Sequence, residues 1–192
     1  MRSRNLWLSR NTSVEMVLDR GYSTDQKVLS QEDFNSKYPD SCNFVCYDGS
    51  TPVAVHFLDQ DKIGKSSLET ILGDYQRENI SRVIFISSAK ISPACQSLIH
   101  SGIELFLEEE MLFNITKHSL VPKHRILSQT EKQDILSKMR LKPEQMPKIL
   151  KRDPVCRYLG ASTGDVIEIN RKSRTAGQSL YYKIVEDKVI KL

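Results

Sequence analysis

The first part of the chain carries hydrophobic residues at helical spacing. Between residues 5 and 20 they recur with a period near that of a helix, and Gly21 follows as a stop, so we predict a helix there. Its expected apolar side consists of Trp7, Val14, Val17 and Leu18. Ser30, with Asp33 three residues later, resembles a capping box and predicts the start of a second, shorter helix.

A change of period then predicts a β-hairpin followed by a helix. Residues 44–47 and 53–58 are strand-like, and the polar segment 48–51 between them has the composition of a tight turn. Ser66 or Ser67 is expected to cap the next helix. The core side of that helix is predicted from the spacing of Leu68, Ile71, Leu72 and Tyr75.

Strands and helices alternate in the segment that follows. Residues 83–86 form a continuous apolar run of the kind found in strands that are buried on both faces. Ser92 and Pro93 predict the start of a helix that ends near Gly102, and 103–106 is the next strand. This order predicts an α/β domain with helices on both sides of a mixed sheet.

The last part of the chain has the pattern of a small α+β domain. Ser128 and Glu131 form a capping box, and Asp153-Pro154 opens a helix of barely two turns that stops at Gly160. Alternating residues predict strands at 166–169, 180–185 and 189–190.

Charge separates these two parts. Residues 1–116 hold 11 Lys and Arg against 16 Asp and Glu, a net charge of −5, and residues 117–192 hold 17 against 8, a net charge of +9. We therefore predict two domains, 1–116 and 117–192. A basic domain is typical of a surface that binds nucleic acid or an acidic protein.

Composition indicates an intracellular globular protein. The apolar runs are too short to span a bilayer, and the N-terminus lacks the apolar core of a secretory signal. The four cysteines are expected to be reduced thiols. Cys42 and Cys46 offer two zinc ligands, but no second pair with finger-like spacing exists, so we expect neither a metal nor a cofactor.

A partial nuclease pattern is the best candidate for catalysis. Pro39-Asp40, the hairpin, and Gln60-Asp61-Lys62 resemble the arrangement in restriction-type nucleases, where two carboxylates hold Mg²⁺ and a lysine assists the water. Gln60 stands in place of the second carboxylate, and a neutral amide binds a hard dication poorly. We therefore expect no catalytic residues.

A series of ordered motifs in residues 118–182 is specific. It comprises His118-Ser-Leu-Val-Pro-Lys-His124, Leu127-Ser128, Glu131-Lys132, Gln145-Met-Pro-Lys-Ile149, Asp153-Pro-Val-Cys-Arg-Tyr-Leu-Gly160 and Thr175-Ala-Gly177. These motifs resemble the C-terminal domain of the fifth-largest subunit shared by eukaryotic nuclear RNA polymerases, whose archaeal counterpart consists of that domain alone. Upstream motifs extend the resemblance over nearly the whole chain: Asp19-Arg-Gly-Tyr22, Glu78-Asn-Ile80, Ser92-Pro-Ala94, Gln96-Ser-Leu98 and Leu112-Phe-Asn-Ile-Thr116.

The resemblance implies a nuclear, non-catalytic subunit of DNA-directed RNA polymerase that takes part in transcription. Residues 1–116 would be a jaw domain with a three-layer, restriction-endonuclease-like fold, lying beside incoming downstream DNA. Residues 117–192 would be an assembly domain that docks on the largest subunit. The DNA-proximal residues implied are Lys90, Ser92, Pro93 and Ala94.

The implied docking residues follow the motifs of the C-terminal domain. They are His118, Leu120, Val121, Pro122, His124, Pro147, Asp153, Pro154, Arg157, Tyr158, Arg171, Ser173, Thr175, Ala176, Gly177 and Tyr182. Arg174 and Gln178 depart from the family pattern, in which an acidic and a basic residue stand at these positions.

The charge pattern and the resemblance differ about where DNA binds. The resemblance places duplex DNA, held weakly and within the complex, beside the acidic domain. Electrostatics alone favours the alternative of a free-standing nucleic-acid-binding protein that uses the basic C-terminal half.

Overall fold

The computed structural model divides the chain into two compact units, residues 1–114 and 115–192. The division lies close to the boundary expected from the charge pattern. The residues described are 2–38, 42–58, 64–90, 95, 102–173 and 177–187. No helix among them is both long and apolar enough to cross a membrane.

The N-terminal unit contains helices and strands in mixed order. In sequence these are α1 (Arg2–Asp19), α2 (Gln31–Lys37), β1 (Phe44–Asp48), β2 (Thr51–Leu58), α3 (Lys65–Arg77), β3 (Arg82–Ser87) and β4 (Ile103–Leu107), followed by a 3-10 helix at Glu108–Met111. The strands form one sheet in the order β1-β2-β3-β4. β1 and β2 are antiparallel, whereas β2, β3 and β4 run parallel. The predicted hairpin and the mixed sheet are thus confirmed.

The middle strand β3 is buried on both faces, as its apolar run predicts. One face packs Val83 and Phe85 with Leu68 of α3, and Ile71, Leu72 and Tyr75 lie partly buried against the same cluster. On the other face, Glu104 of β4 lies in register with Ile84. Its carboxylate accepts hydrogen bonds from both terminal guanidinium nitrogens of Arg20, the residue that follows α1. Because Glu104 points away from α3, the end of α1 and helix α3 lie on opposite faces of the sheet.

Helix α1 differs from the predicted amphipathic helix. Val14 and Val17 are buried as expected, but Leu18 is 49% exposed, so its assignment to the core side was wrong. The helix also buries polar side chains: Ser9, Arg10, Asn11, Thr12 and Ser13. Two of them, Arg10 and Asn11, hold the loop before α2, whereas Ser9 and Ser13 donate to carbonyls within α1. Asn11 accepts from the Leu29 N–H and donates to the Leu29 carbonyl, and Arg10 donates to the Lys27 carbonyl at 2.7 Å.

The C-terminal unit is a small α+β structure. After a 3-10 helix at Ile115–Lys117 come β5 (Lys123–Ile126), α4 (Gln129–Met139), a 3-10 helix at Pro143–Gln145, β6 (Lys148–Leu150), α5 (Pro154–Leu159), β7 (Val166–Ser173) and β8 (Gly177–Glu186). The sheet order is β5-β7-β8-β6. β5 and β8 are antiparallel to β7, and β6 is parallel to β8. The short strands β5 and β6 were not predicted.

Two hydrophobic clusters cover the two faces of this sheet. Cys156 of α5 packs with Ile167, Ile169 and Val185 on one face. On the other face, Val166 and Ile184 pack with Leu127 and Met146, and the partly buried Ile135 and Leu136 of α4 lie against them. Each face of the sheet therefore has its own helix.

Local capping patterns mostly agree with the sequence. The Ser30 hydroxyl accepts from the Asp33 N–H, the Ser128–Glu131 capping box is complete, and Asp153 caps α5. Neither Ser66 nor Ser67 caps α3, because the helix begins earlier, after Gly64, which supplies no side-chain cap. The predicted helix after Ser92 and the predicted strand at 189–190 lie outside the described residues, apart from Cys95.

Candidate functional site

The loop before β5 displays the most exposed hydrophobic side chain among the described residues, Leu120, at 84% exposure. Consecutive turns brace this loop. The His118 N–H donates to the Ile115 carbonyl at 3.2 Å, and the Val121 N–H donates to the His118 carbonyl at 3.0 Å. In addition, the His118 Nδ1 accepts from the Leu120 N–H at 3.2 Å. The backbone thus holds the Leu120 side chain in solvent in an ordered loop.

His124 fixes the other end of the same loop. Its Nδ1 lies 2.7 Å from the Pro122 carbonyl oxygen. A carbonyl only accepts, so Nδ1 carries the proton in this contact. Val121, Pro122 and His124 are half-buried, and they therefore support the loop while Leu120 projects from it.

Helix α5 places several of the expected docking residues. Asp153 accepts from the Val155 N–H at 2.9 Å, and Pro154 occupies the first turn, where its missing N–H costs nothing. The helix contacts both the 3-10 helix at 115–117 and β5, so it lies beside the Leu120 loop. Arg157 is half-buried, and Pro154 is exposed.

Tyr158 does not fit a surface role. Its side chain is 3% exposed and lies in the interior of the unit. A partner would not reach it without repacking the core, so we correct its expected role from contact to internal support. Pro147 is exposed, and its carbonyl accepts from the Ile184 N–H at 2.9 Å.

The β7–β8 hairpin carries the remaining docking residues. The Arg171 guanidinium lies 5.1 Å from the centroid of the Tyr181 ring, a cation–π arrangement on an exposed surface. Gly177 opens β8 with a positive φ of 69°, a backbone conformation that favours glycine. The Tyr182 hydroxyl donates to Glu168 at 3.3 Å. Thr175, Ala176 and the Ser173 side chain lie outside what the structure describes.

Two exposed residues of this hairpin were missed at the sequence level. Leu180 is 51% exposed and Tyr181 is 48% exposed, although they point to opposite faces of the sheet. The alternating pattern did predict the strand. That pattern does not show that the first part of β8 lies outside the area of the sheet that the helices cover.

Of the residues expected near DNA, the structure describes only Lys90. Lys90 is exposed and follows the carboxyl end of β3. The preceding turn is ordered by the buried Ser87, whose hydroxyl accepts from the Ala89 N–H at 3.2 Å. Ser92, Pro93 and Ala94 lie outside the described residues, as do Asp40, Gln60, Asp61 and Lys62 of the nuclease-like pattern.

Two buried cysteines lack the properties of reactive or metal-binding thiols. Burial raises the pKa of Cys46 to about 11, and burial together with the Asp153 charge raises the pKa of Cys156 to about 12. Both thiols are therefore protonated at neutral pH, whereas metal ligation and nucleophilic attack use the thiolate. No group of three or more potential metal ligands occurs in the described part of the chain.

Comparison with known proteins accounts for the motifs around α5 and the hairpin. A family model, RNA polymerase Rpb5, C-terminal domain, matches residues 113–185. The DNA-directed RNA polymerases I, II, and III subunit RPABC1 of Caenorhabditis elegans is 35% identical, and the alignment covers 94% of this chain and 95% of that protein. The chain belongs to the Rpb5 family.

Further members of the Rpb5 family extend the match. The RPABC1 subunit of Caenorhabditis briggsae is 34% identical over the same shares of both chains. The Dictyostelium discoideum protein of the same name is 33% identical over 91% of this chain and 94% of its own length. Membership of the Rpb5 family therefore applies to both compact units.

Proposed function

We propose that this chain is a non-catalytic subunit of DNA-directed RNA polymerase. The observation that carries the proposal is its 35% identity, over 94% of its length, to a protein named as a subunit of RNA polymerases I, II and III. The relatives are named as subunits of these polymerases. We infer that this chain contributes assembly and positioning to such a complex. Nuclear localisation follows from the same proposal.

The C-terminal unit is proposed to dock on the largest polymerase subunit. A protruding Leu120 on a hydrogen-bonded loop fits an anchor residue in a partner pocket, because a loop whose backbone is ordered before binding loses less entropy on association. The Arg171–Tyr181 pair adds a second exposed feature of the kind enriched in protein interfaces. The proposed contact residues are the expected docking set without Tyr158.

The N-terminal unit is proposed to be the jaw domain beside incoming downstream DNA. A mixed sheet with α1 and α3 on opposite faces is compatible with a three-layer, restriction-endonuclease-like fold. Lys90 would supply a phosphate contact at the end of β3. The unit carries a net negative charge, so its contact with DNA would rely on the electrostatic attraction of the other subunits.

Affinity purification of the tagged full-length chain from its own cells, followed by mass spectrometry, tests the proposal. The expected result is co-elution of the largest RNA polymerase subunit. A double variant, Asp153→Ala with Arg157→Glu, should reduce this co-elution, whereas the matched charge reversal Lys138→Glu on exposed α4 should not. Full co-elution of the double variant would show that the face around α5 is not the docking face.

A second candidate function is a free-standing nucleic-acid-binding protein. The observation that favours it is the net charge of +9 in residues 117–192. Purification without any polymerase subunit, combined with tight DNA binding by the isolated chain, would support this candidate instead.

A further inference from the structure

Strand β8 has a long open edge. It runs over Gly177–Glu186 and pairs with β7 from Gly177 to Ile184, but β6 covers only Ile184–Glu186 on the other side. Among the described residues, no strand pairs with that side of β8 between Gly177 and Lys183. β6 begins with Lys148 opposite Ile184, so it does not reach the exposed part of the hairpin.

The direction of the backbone groups along this edge follows from two hydrogen bonds. The Ile184 N–H donates to the Pro147 carbonyl beside β6, and the Val185 N–H donates to the Asp165 carbonyl beside β7, at 2.9 and 2.8 Å. Successive N–H groups in a strand point to opposite sides. The N–H groups of Gln178, Leu180 and Tyr182 consequently point to the open edge, and those of Ser179, Tyr181 and Lys183 point to β7.

Side chains beside the edge differ between the two faces of the sheet. Leu180 and Tyr182 lie on one face, with Leu180 half exposed. Tyr181 and Lys183 lie on the other face, together with Arg171 over the Tyr181 ring. No ion pair involves Arg171 or Lys183 within the described ranges. The Leu180 face is thus mixed, with Asn170 and the Glu168 carboxylate opposite Leu180 and Tyr182, whereas the other face carries two cations beside Tyr181.

A long open strand edge that carries an exposed leucine is unusual in a free protein. Proteins protect such edges with prolines, bulges or inward-pointing charges, because an unpaired row of N–H and C=O groups pairs readily with another strand. β8 has no proline or bulge between Gly177 and Lys183, and its one charged side chain there, Lys183, lies on the opposite face from Leu180. A partner strand along this edge would form hydrogen bonds with the unpaired N–H and C=O groups and would bury the Leu180 side chain.

We propose that the open edge of β8 receives an extended segment of the protein on which this unit docks, as an added strand in line with β6. The segment carries an acidic side chain beside Lys183 and Arg171, and an apolar side chain beside Leu180 and Tyr182, because cross-strand neighbours on one face interact directly. A second copy of this chain is a poorer occupant, since two units with a net charge of +9 repel each other. The inference rests on the proposed docking function and specifies its geometry.

Residue-resolved amide exchange tests the proposal in the complex of the full chain with the co-expressed largest polymerase subunit. The expected result is that the amides of Gln178, Leu180 and Tyr182 exchange at least about tenfold more slowly in the complex than in the free chain. The amides of Ser179, Tyr181 and Lys183 should be slow in both, because they already bond to β7. Unchanged exchange at Gln178, Leu180 and Tyr182 within a formed complex would overturn strand addition and leave docking intact. Failure of the complex to form would remove the proposed function itself.

A backbone substitution provides an independent test. Leu180→Pro deletes an N–H that points outward, so the bonds between β7 and β8 remain, and proline is tolerated at an edge strand. Its matched control, Leu180→Ala, removes the side chain and keeps the N–H. Leu180→Pro should bind the largest subunit about tenfold more weakly than Leu180→Ala. Equal affinities of two folded variants would contradict the proposal.

Two other outcomes are also decisive. If Leu180→Pro does not fold, the exchange experiment on the unsubstituted chain decides alone. If the free chain dimerises and protects the same alternate amides, the occupant is a second copy, and the proposed partner strand is wrong.

Discussion

Single side chains set the starts of the helices in the C-terminal unit. Asp153 and Ser128 each accept a backbone N–H in the first turn of the helix that they precede, and Glu131 completes the box by accepting from the Ser128 N–H at 2.8 Å. The hydrogen bond from Arg125 and the bond from Ser128 lower the pKa of Glu131 to about 2. The charged form of Glu131 therefore persists in moderately acidic solution.

Asp153→Ala should destabilise the C-terminal unit by about 1 kcal/mol, because the substitution leaves the Val155 N–H without its cap. Chemical denaturation of the full chain measures the change in the free energy of unfolding. Asp134→Ala, at an exposed position of α4, is the control and should change the free energy by less than about 0.5 kcal/mol. Equal effects of both substitutions would mean that the cap contributes nothing.

His56 is a half-buried histidine that the fold keeps neutral. Its Nδ1 lies 2.8 Å from the Tyr75 hydroxyl and 3.2 Å from the Asn43 amide nitrogen. The Asn43 oxygen accepts from the Phe57 N–H, so its NH₂ group faces the ring and donates. Nδ1 is therefore an acceptor in this arrangement, and burial lowers the pKa of His56 from its usual 6.5.

Stability should consequently fall when the pH drops below about 6.5. In that range the unfolded chain binds a proton at His56 before the folded chain does, so acid favours unfolding. Urea denaturation between pH 7.5 and pH 5 should show a smaller decrease for His56→Gln than for the unsubstituted chain. His118→Gln is the control, since His118 is exposed. An unchanged pH dependence in His56→Gln would show that His56 does not contribute.

At the scale of elements, helix α1 is attached to its surroundings by polar contacts. The Arg10 side chain is completely buried, and it donates to Gln26, Tyr38 and the Lys27 carbonyl. At the other end of α1, Arg20 forms two bonds with Glu104 of β4 at 2.7 and 2.8 Å. The Arg10 contacts orient the loop before α2, and the Arg20–Glu104 pair joins α1 to the sheet.

Glu104→Ala should destabilise the N-terminal unit by about 3 kcal/mol, the lower end of the range for breaking a buried ion pair. Arg20 is almost inaccessible, with 2% of its side chain exposed, so it would keep a charge without its main counter-ion. Thermal denaturation and urea titration measure the effect. Asp74→Ala, which breaks the exposed Arg77–Asp74 pair, should cost at most about 1 kcal/mol. Comparable losses in the two variants would argue against the role of burial.

The two units of the whole molecule carry opposite net charges, which matters for nucleic acid. A small number of phosphate contacts provides weak affinity, and the acidic residues of the N-terminal unit oppose it. The polymerase subunits around the chain would supply the remaining attraction in the complex.

The isolated chain should therefore bind duplex DNA with a dissociation constant above about 1 μM at physiological salt, in the range of non-specific binding. Fluorescence anisotropy of a labelled duplex at several salt concentrations measures the affinity and its salt dependence. Submicromolar binding that is strongly reduced by salt would support the free-standing nucleic-acid-binding protein. Removal of such binding by charge reversals at Lys138 and Lys142 would locate it in the basic unit.

Much of the architecture was predictable because the relevant chemistry is local. The residues that decide each local structure lie within a few positions of one another. This holds for the hairpin turn at 48–51, the apolar strand at 83–86 and the caps of α2, α4 and α5. The family motifs likewise lie in a linear order. By contrast, β5 and β6 are too short to show a clear period, and they become strands only because β7 and β8 offer partners.

The candidate surface was only partly predictable, because the exposure of a side chain depends on neighbours that are distant in the chain. Leu120 and Arg171 were expected at the surface and are exposed, but Tyr158 belongs to the core and Leu18 lies outside it. Helical spacing locates a face without saying what covers it. The exposure of Leu180 depends on where β6 begins, which involves residues about thirty positions away in the chain.

The sequence by itself determined the starts of α2, α4 and α5, the turn of the hairpin, the charge of each unit and the family, because these depend on residues close together or on their order. Tertiary structure alone decided that Arg10 and Asn11 are buried, that His56 is held neutral, and that one edge of β8 stays open. Burial and strand pairing join residues distant in sequence, and their free energy is set by the neighbours that folding brings together.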